Sequence, residues 1–427
     1  MSTICAPSTP PGGAIGIVRI SGSNAIAIAD SIFTKSIISA KGYTMHYGQI
    51  LIPDGDSTQV LDDVILSVCR SPHSYTGEDT VEISHHGSSY IQQTIIQLLI
   101  DKGCEMAKPG EFTQRAFLNG KMDLSQAEAV ADLIASTTAD SHRIAMTQMR
   151  GGFSNRLAEL RNQLLQMTSL LELELDFSEE DVQFADRQQL LSLAYNIEEE
   201  ISRLSASFSE GNAIKNGIPV AIIGAPNVGK STLLNRLLHE DRAIVSSIEG
   251  TTRDNIEETF TIQGTLFRFI DTAGIRHTND TIERMGIERS LKAAEKAHII
   301  ILMREPGVAF PNITLLPNQK VIEVTNKSEF FQAIDGKGLD WLENELIKSI
   351  PQIPSDGVLV TNLRHKQALD QALIAIQSAI HSLTSNTPGD LIDEDLRLCL
   401  NHLSEILGQI TNDEVLSNIF SHFCIGK

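Results

Sequence analysis

The sequence predicts a multidomain protein of the α/β plus α+β class, with an N-terminal α+β domain, a discontinuous helical bundle and an inserted P-loop domain. Three observations carry this prediction. Short strand-like apolar runs dominate residues 1–118, whereas leucines at helical spacing fill 119–214 and return at 356–427. Residues 215–355, between the two helical segments, carry a phosphate-binding motif. A chain of 427 residues is long enough for several such domains.

The N-terminal domain combines short strands with one clear helix. VILSVCR at 64–70 and TVEIS at 80–84 predict strands, and YIQQTIIQLLIDKG at 90–103 predicts a helix. From the residues alone, charged side chains beside glycine turns are as readily surface residues as ligand-binding ones. Three such residues are candidates for a site: Arg19, Glu82 and Lys121.

The two helical segments carry apolar stripes that neither segment can bury alone, so we expect one discontinuous bundle. Thr411 to Glu414 indicates a capping box at the start of the last helix, which runs toward FCIGK. The stripes consist of Leu157, Leu160, Leu164, Leu171 and Leu175, then Ile197, Ile201, Leu204 and Phe208, and finally Leu369, Leu373, Ile376, Ile380 and Leu383.

The inserted domain begins with VAII followed by GAPNVGKS, which fits the motif G-x-x-x-x-G-K-[ST] between a buried strand and a leucine-rich helix. Gly224 and Gly229 let backbone N–H groups face phosphates. Lys230 brings a positive charge to the β and γ phosphates, and the Ser231 hydroxyl is suited to Mg²⁺. A chance glycine turn is the alternative, but it does not explain strand, loop and helix in this order.

Further motifs follow in the order typical of a guanine-nucleotide domain. GTTRD at 250–254 offers hydroxyls for a switch loop, a hairpin leads into DTAG at 271–274, and Asn326-Lys327 follows a strand. The sequence therefore predicts a GTPase. Its predicted nucleotide-binding residues are Asn227, Val228, Gly229, Lys230, Ser231, Thr232, Thr251, Thr252, Asp271, Thr272, Ala273, Gly274, Asn326, Lys327 and Glu329.

Two positions depart from common GTPases. Ile275 stands where many regulatory GTPases place a water-orienting glutamine, so Glu283 is the nearest candidate for that task, with a solvated helix carboxylate as the alternative. The guanine motif ends in Glu329 instead of aspartate. One extra methylene shifts the carboxylate, and misplaced hydrogen bonds cost affinity.

The base pocket is also short. Only Phe330 and Phe331 separate the guanine motif from Gln332-Ala333, where Ala333 corresponds to the alanine of the fifth GTPase motif. A loop and a strand are therefore expected to be missing. The proline-rich stretch from Met303 to Lys320 leaves little room for a helix. We expect weaker or less selective guanine binding.

Composition sets limits on class and location. A formal charge of −20 argues against a protein coated with basic surface for nucleic acid, although a local basic cleft stays open. Five scattered cysteines without a C-x-x-C pair indicate reduced thiols. Apolar runs are too short to span a bilayer, and no basic and apolar leader precedes Thr9, so we expect a cytoplasmic protein.

Taken together, these strings resemble the MnmE or TrmE family of tRNA-modifying GTPases. The resemblance rests on TPPGGAIGIVRISG, YTGED, PGEFTQRAFLNGKMDLSQAEA, GAPNVGKST, GTTRD, DTAGIR, IERMGIERS and FCIGK. It implies a tetrahydrofolate-binding-like dimerisation domain, a helical domain and an inserted G domain. It also implies a homodimer that works as a heterotetramer with the flavoprotein MnmG, which carries FAD. The two build a carboxymethylaminomethyl-type group on C5 of the wobble uridine of certain tRNAs, from formyl or methylene tetrahydrofolate.

The family's functional residues match positions of this chain. By resemblance, Arg19, Glu82, Lys121 and Lys427 contact the folate. Asn227 binds potassium with Ser246, Ile248 and Thr251, within a switch segment that also includes Ser247, Glu249 and Gly250, and Ser231 and Thr252 bind magnesium. Lys230 and Glu283 serve GTP hydrolysis. Cys424 serves the tRNA modification, with a packed thiol as the open alternative.

Two other functions compete with this interpretation. A regulatory GTPase switch in ribosome assembly shares the G-domain motifs, but such switches carry RNA-binding modules after the G domain, where this chain has a helical segment ending in FCIGK. A folate-dependent one-carbon transferase with a decayed G domain would explain the short base pocket. The intact Lys230, Ser231, Thr252 and Asp271 argue against that decay.

Overall fold

The computed structural model describes residues 2–54, 57–176, 187–240, 258–270, 293–316, 319–350, 354, 357–385, 387–410, 413–421 and 423–426. The chain divides into two compact units. The first unit comprises Met1–Ala131, Met149–Ala158 and Leu403–Lys427. The second comprises Asp132–Gln148 and Glu159–His402.

A six-stranded sheet is the framework of the first unit. Its strands are β1 (Ile4–Pro7), β2 (Ile15–Ser21), β3 (Thr44–Asp54), β4 (Ser57–Cys69), β5 (Thr80–His86) and β6 (Glu105–Met106). They follow the order β3-β4-β5-β2-β1-β6. β6 runs parallel to β1, and the other neighbours are antiparallel.

Alternation along β2 separates a core face from an opposite face, which is open along β3 and β4 but covered by Phe112 at β1. Val18 and Ile20 are fully buried against α1 (Ala25–Ser31) and α2 (Ser89–Asp101). Successive side chains of a strand point to opposite faces, so Arg19 lies on the other side. The predicted strands at 64–70 and 80–84 and the predicted helix at 90–103 are confirmed.

Further helices of this unit include α3 (Glu111–Leu118), most of α4 (Leu124–Ala135) and the last helix of the chain, α13 (Asp413–Ser421). α13 and the residues after it share an apolar cluster with α4, formed by Leu124, Ala127, Leu416, Phe420 and Phe423. The final residues of the chain therefore pack within the N-terminal unit.

A five-stranded sheet organises part of the second unit. Its strands are β7 (Ile218–Gly224), β8 (Glu258–Ile262), β9 (Thr265–Phe269), β10 (Ile299–Arg304) and β11 (Lys320–Thr325), in the order β11-β10-β7-β9-β8. All neighbours are parallel except β8 and β9, which form the predicted hairpin. Gln263 and Gly264 make its two-residue turn with φ of 47° and 82°.

Helices α9 (Lys230–Glu240) and α10 (Leu339–Lys348) cover one face of this sheet. Parallel strands are buried on both faces and so are continuously apolar, as in the IIILM run of β10, whose five residues are all buried. The described core on the helical side includes Leu233, Leu237, Phe267, Leu342 and Leu346.

The remaining helices are α5 (Ala139–Met149), α6 (Gly152–Asp176), α7 (Arg187–Ala206), α8 (Phe208–Asn216), α11 (Leu363–Thr384) and α12 (Gly389–Leu407). α7 and α11 come from the two predicted helical segments and pack together. Ser205 Oγ donates to Asp370 Oδ1 at 2.6 Å, and Gln377 Nε2 donates to Glu198 Oε1 at 2.9 Å. Segments on either side of the nucleotide domain thus share an interface, while the domain boundaries stay predictions.

A buried extended stretch at 358–361 lies between α5 and α8. Gln148 Nε2 donates to Leu359 O at 2.8 Å, and Val360 N donates to Ser207 Oγ at 3.1 Å. Gly211 lies so close that a Cβ there would be 2.3 Å from Val360 O. The polypeptide before the P-loop domain is therefore fastened to the polypeptide after it.

In the described part of the chain, none of the helices combines the length and the apolar character that crossing a membrane requires.

Candidate functional sites

The phosphate-binding loop joins the end of β7 to the start of α9, as the motif predicts. Asn227 and Gly229 have left-handed φ values of 61° and 100°. A Cβ on Gly224 would lie 2.5 Å from Met303 O, and one on Gly229 would lie 2.3 Å from Asn326 Nδ2. Only glycine fits such contacts, so packing requires both glycines of the motif, and the left-handed φ requires glycine at position 229 as well.

Lys230 is the first residue of α9 and reaches back across the loop. Its ammonium donates to Gly224 O at 2.8 Å and to Ala225 O at 2.9 Å. Burial lowers the pKa of the Lys230 ammonium from its usual value. A phosphate dianion near this group would favour its charged form, because an opposite charge offsets the desolvation penalty. Ser231 and Thr232 follow on the first turn of α9.

Asn326 ties the loop to the base-side motifs. It is 4% exposed, and its Nδ2 donates to Val228 O at 2.7 Å. Ala333 N donates to Asn326 Oδ1 at 2.9 Å. One buried amide thus connects the first, fourth and fifth GTPase motifs, which lie far apart in the sequence.

Lys327 lies beside the loop with a left-handed φ of 57°. Its Nζ donates to Asn227 O at 3.3 Å and forms an ion pair with Glu305. Sequence reasoning missed Glu305. The available signal was its position directly after the buried strand β10, next to the strand that precedes the guanine motif.

The base-side segment is as short as the sequence predicts. No strand or helix lies between the end of β11 and the start of α10. Instead Ser328 closes a tight turn, because its N donates to Phe331 O and its Oγ accepts from Phe331 N, both at 3.1 Å. Glu329 is exposed, and Phe330 is 86% exposed.

The stretch between β10 and β11 is likewise without a helix in its described residues, 305–316 and 319. Arg304, at the end of β10, contacts both this stretch and β11. Its guanidinium carbon lies 4.1 Å from the Phe310 ring centroid, and its Nε donates to Thr325 Oγ1 at 3.1 Å. The expected missing helix is confirmed for these residues.

Several predicted site residues lie outside the described residues. They are Ser246, Ser247, Ile248, Glu249, Gly250, Thr251, Thr252, Asp271, Thr272, Ala273, Gly274, Glu283 and Lys427. Ser231, a hydroxyl ligand of the type that Mg²⁺ accepts, stands on the first turn of α9. The exposed Asn227 is the described member of the predicted potassium set. The donor chemistry of these two residues fits the cations assigned to them.

In the first unit, the structure brings Arg19 and Glu82 together. The two residues are opposite each other in the register of β2 and β5. Arg19 Nε donates to Glu82 Oε1 at 2.9 Å, and Nη2 lies 2.8 Å from the same oxygen. The guanidinium carbon also lies 5.7 Å from the Tyr75 ring centroid and 5.6 Å from that of Phe112. The sequence-predicted pair is therefore an ion pair flanked by aromatic rings.

Lys121 lies against the loop that precedes β5. Its Nζ donates to Pro72 O at 3.0 Å. A Cβ on Gly77 would lie 3.4 Å from carbons of its stem. Lys121 thus contacts the loop that contains YTGED, in the same unit as Arg19.

A buried arginine, which sequence reasoning did not single out, fastens that loop. Arg115 on α3 is 3% exposed and donates to Glu78 Oε2 at 3.2 Å and to Glu111 Oε1 at 2.8 Å. Glu78 also accepts from Ser21 Oγ at 2.8 Å. The sequence signal that could have indicated Arg115 was the pair of charged strings YTGED and FTQRAF. Nothing in either string indicates that the two meet in the fold.

The C-terminal residues approach the same region. Arg19 Nη1 donates to Gly426 O at 3.2 Å. Gly110 N donates to Cys424 O at 3.4 Å, and the Cys424 side chain is exposed. Two predicted sites, the folate-type cluster and the terminal cysteine motif, therefore lie in one unit and share a contact.

Comparison with known proteins decides which family the chain belongs to. The family model for the MnmE helical domain matches residues 124–424, and that for the GTP-binding protein TrmE N-terminus matches residues 3–121. The chain belongs to the MnmE family. The tRNA modification GTPase MnmE of Parabacteroides distasonis is 54% identical, with 100% of both chains covered. Those of Bacteroides fragilis and Flavobacterium psychrophilum are 51% and 50% identical, covering 100% of this chain and 99% of each relative.

The alignments with these relatives are longer than this chain. They extend over 465 and 461 positions, more than the 427 residues of this chain, so the MnmE relatives carry residues that this chain lacks. Among solved structures, Era of Aquifex aeolicus bound to GDP and aluminium fluoride is 27% identical over 37% of this chain and 66% of Era, at a TM-score of 0.23.

Proposed function

We propose that this MnmE-family chain is a GTPase that, together with the flavoprotein MnmG and its FAD, adds an aminomethyl-type group, carboxymethylaminomethyl, to C5 of the wobble uridine of certain tRNAs. Family membership supports the tRNA-modifying GTPase activity, since the curated relatives carry that name. The observation that carries the GTPase part is Asn326, which connects the phosphate loop to Ala333 through two buried hydrogen bonds.

In GTP hydrolysis, Lys230 and the backbone N–H groups at the start of α9 bind the β and γ phosphates. Ser231 and Thr252 would hold Mg²⁺, and Asn227 with Ser246, Ile248 and Thr251 would hold K⁺. Bound there, the two cations supply positive charge that neutralises charge developing on the phosphates. Glu283 orients the attacking water.

In tRNA modification, the first unit supplies the one-carbon group from formyl or methylene tetrahydrofolate. Arg19, Glu82, Lys121 and Lys427 bind the folate, and Cys424 takes part in the modification. The ion pair of Arg19 with Glu82 supports this assignment, because the Arg19 guanidinium also lies beside the rings of Tyr75 and Phe112. Aromatic rings beside fixed charges are suited to a flat, polar heterocycle.

The open face of the six-stranded sheet supports a homodimer through the N-terminal domains. Met45 is 71% exposed, Tyr47 is 61% exposed and Ile65 is 40% exposed. Tyr47 and Ile65 are opposite each other in the register of β3 and β4, so these side chains form a continuous surface. Apolar side chains grouped in this way mark interaction surfaces. The homodimer would join MnmG in a cytoplasmic heterotetramer.

The short base pocket favours a second candidate, a folate-dependent one-carbon transferase whose G domain no longer hydrolyses GTP. Glu329 and Phe330 are exposed where the guanine motif ends. The complete contacts of Lys230 and Asn326 favour the GTPase over this candidate.

Steady-state GTP hydrolysis in potassium and in sodium at matched ionic strength tests the proposal, with Lys230→Ala as the blank. Potassium stimulation that Asn227→Ala abolishes is the expected result. Absence of hydrolysis in both salts, with and without MnmG, would favour the decayed G domain. Wobble-nucleoside analysis of tRNA from cells lacking the protein tests the modification, and unchanged nucleosides would contradict it.

A further inference from the structure

Positive charge without a carboxylate partner gathers around the loop at 70–79, which joins β4 to β5 in the first unit. Lys41, His73 and Lys121 are all exposed there. Within the described part of the chain, none of these three side chains pairs with a carboxylate. On a chain with a formal charge of −20, unpaired cations in one place attract an anionic partner to that place.

Backbone contacts bring these cations side by side. Arg70 Nε donates to Ala40 O at 2.8 Å, so the residues before β3 lie against the start of the loop. A Cβ on Gly42, the neighbour of Lys41, would lie 3.4 Å from Arg70 N. His73 N donates to Arg70 O at 2.8 Å. Residues from two parts of the chain thus form one charged surface.

The loop itself is held in a fixed shape. Asp79 Oδ1 accepts from Ser71 N at 2.9 Å, and Asn119 Nδ2 donates to Thr76 O at 2.7 Å. Asp79 Oδ2 also lies 3.9 Å from Arg70 Nη1, so this carboxylate offsets part of the positive charge. A surface that is already ordered loses less conformational entropy when a partner binds.

Tyr43 adds an aromatic ring to the surface. It is 75% exposed, and its N donates to Val68 O at 2.8 Å, so the backbone is fixed while the ring is accessible. Its left-handed φ of 62° is uncommon for a bulky residue. Unpaired bases stack on exposed aromatic rings, and nearby cations contact the phosphates between the bases. A ring among cations therefore favours single-stranded nucleic acid over a simple anion.

The same loop borders the one-carbon cluster. Tyr75, two residues after His73, has its ring centroid 5.7 Å from the guanidinium carbon of Arg19. Pro72 O, in the same loop, accepts from Lys121 Nζ at 3.0 Å. A base that receives a one-carbon group must reach this cluster, and an RNA loop can present a base that is splayed out of its stack.

We propose that the basic loop surface, formed by Lys41, Tyr43, Arg70, His73 and Lys121, binds the single-stranded anticodon loop of the substrate tRNA. Tyr43 stacks on a base, and the cations contact phosphates. The proposal rests on the tRNA modification proposed above. It adds the place on this acidic chain where the RNA is bound.

Fluorescence anisotropy of a fluorescein-labelled RNA hairpin, with the sequence of an anticodon stem and loop, measures binding to the full-length protein. Tyr43→Ala is expected to raise the Kd roughly tenfold, the effect of losing one stacked base. Lys41→Gln is expected to raise the Kd as well. It should also reduce the steepness of log K against log salt concentration by about one, because one phosphate contact is lost.

Tyr90→Ala and Lys102→Gln are the matched controls. Tyr90 is 65% exposed on α2, and the exposed Lys102 directly follows that helix of the same unit. Both controls are expected to bind the hairpin as tightly as the parent protein does. Unchanged GTP hydrolysis and an unchanged mass in light scattering show that the variants are folded and equally assembled.

Three results would overturn the proposal. The first is no binding of the hairpin by the parent protein at low salt, and the second is equal Kd values for Tyr43→Ala and Tyr90→Ala. The third is weaker association of Tyr43→Ala with MnmG while its affinity for the hairpin is unchanged, since the surface would then bind a protein.

The kinetics of tRNA modification give an independent test. Tyr43→Ala is expected to raise the KM for tRNA roughly tenfold with kcat unchanged, because it removes binding energy that substrate and transition state share. A lower kcat at unchanged KM would contradict a binding role. Unchanged wobble nucleosides in cells lacking the protein would contradict the proposed function instead, and the anisotropy would still report whether the surface binds RNA.

Discussion

At the scale of single residues, Asn326 organises the nucleotide site more than any charged group does. Its amide is buried and satisfied on both sides, by Val228 O and Ala333 N. Lys327, its neighbour, contributes through an ion pair with Glu305 whose members are 57% and 40% exposed. Exposed ion pairs contribute little, whereas a buried donor or acceptor left unpaired is costly. The Asn326 amide therefore contributes more to the stability of this site than the ion pair of Lys327 with Glu305 does.

Asn326→Ala is expected to weaken GTP binding by roughly tenfold or more, since it leaves two buried backbone groups unpaired at about 1–3 kcal/mol each. Titration with a fluorescent GTP analogue measures the effect. Asn344→Ala, an exposed asparagine on α10, is the control and is expected to bind normally. Equal affinities for the two variants would refute this account of the site.

At the scale of elements, we expect the turn that follows β11, where a strand was expected to be missing, to affect how well the base is recognised. Ala333 N donates to Asn326 Oδ1. Glu329 is exposed, and its side chain is one methylene longer than that of aspartate. We therefore expect the turn to fix fewer donors and acceptors for guanine. The turn retains the connection to the phosphate loop through Asn326.

Competition between GTP and ATP should therefore show a weaker guanine preference than a complete motif gives. Glu329→Asp is expected to raise the preference, because a shorter arm restores the carboxylate position. Glu323→Asp on β11, also exposed, controls for the chemistry of the substitution. A strong guanine preference in the parent protein would rule this prediction out.

The contact of α8 with the stretch at 358–361 gives a second prediction at this scale. In a helix, Gly→Ala ordinarily stabilises by about 0.5–1 kcal/mol. At Gly211, however, the new Cβ meets Val360 O at 2.3 Å, and overpacking costs about 1–3 kcal/mol. The cost of this collision is expected to exceed the gain in helix stability. Gly211→Ala should therefore speed hydrogen exchange of the Val360 amide.

Ser209→Ala is the appropriate comparison for that experiment. Ser209 is exposed on the same helix, so its replacement changes helix propensity without a collision. The Val360 amide should exchange there at the parent rate or more slowly. Slower exchange in Gly211→Ala as well would show that the contact has room for a methyl group.

At the scale of the whole molecule, what the sequence could predict depends on how local the signal is. The strand of the phosphate loop, the β8–β9 hairpin and the missing elements after β11 were predictable because each depends on neighbouring residues. The contact of Arg19 with Gly426 joins residues 407 positions apart. Neither residue carries a local sign of the other. That the two predicted sites meet was implied only by the family resemblance, which assigns Arg19 and Lys427 to one folate, and not by the residues themselves. Glu305 and Lys327 likewise carry no local sign of each other.

Dimerisation through the open sheet face is the prediction that belongs to this scale. Tyr47→Asp places a carboxylate in the exposed apolar row, near Asp63, which already hydrogen-bonds Tyr47. Like charges and lost apolar area should convert the dimer to a monomer in light scattering coupled to size exclusion. Tyr195→Asp, on α7 and 50% exposed, is the matched control. Identical masses for both variants would place the dimer contact elsewhere.

The shortened nucleotide sheet has one more consequence, which concerns solubility. Because β11 ends the sheet order of the described residues, the backbone groups along its outer side have no strand partner among them. Lys320 and Glu323 are both exposed on this short strand. Ammonium and carboxylate groups there disfavour the addition of a foreign strand. Apolar replacements at both positions are therefore expected to make the domain more prone to aggregate.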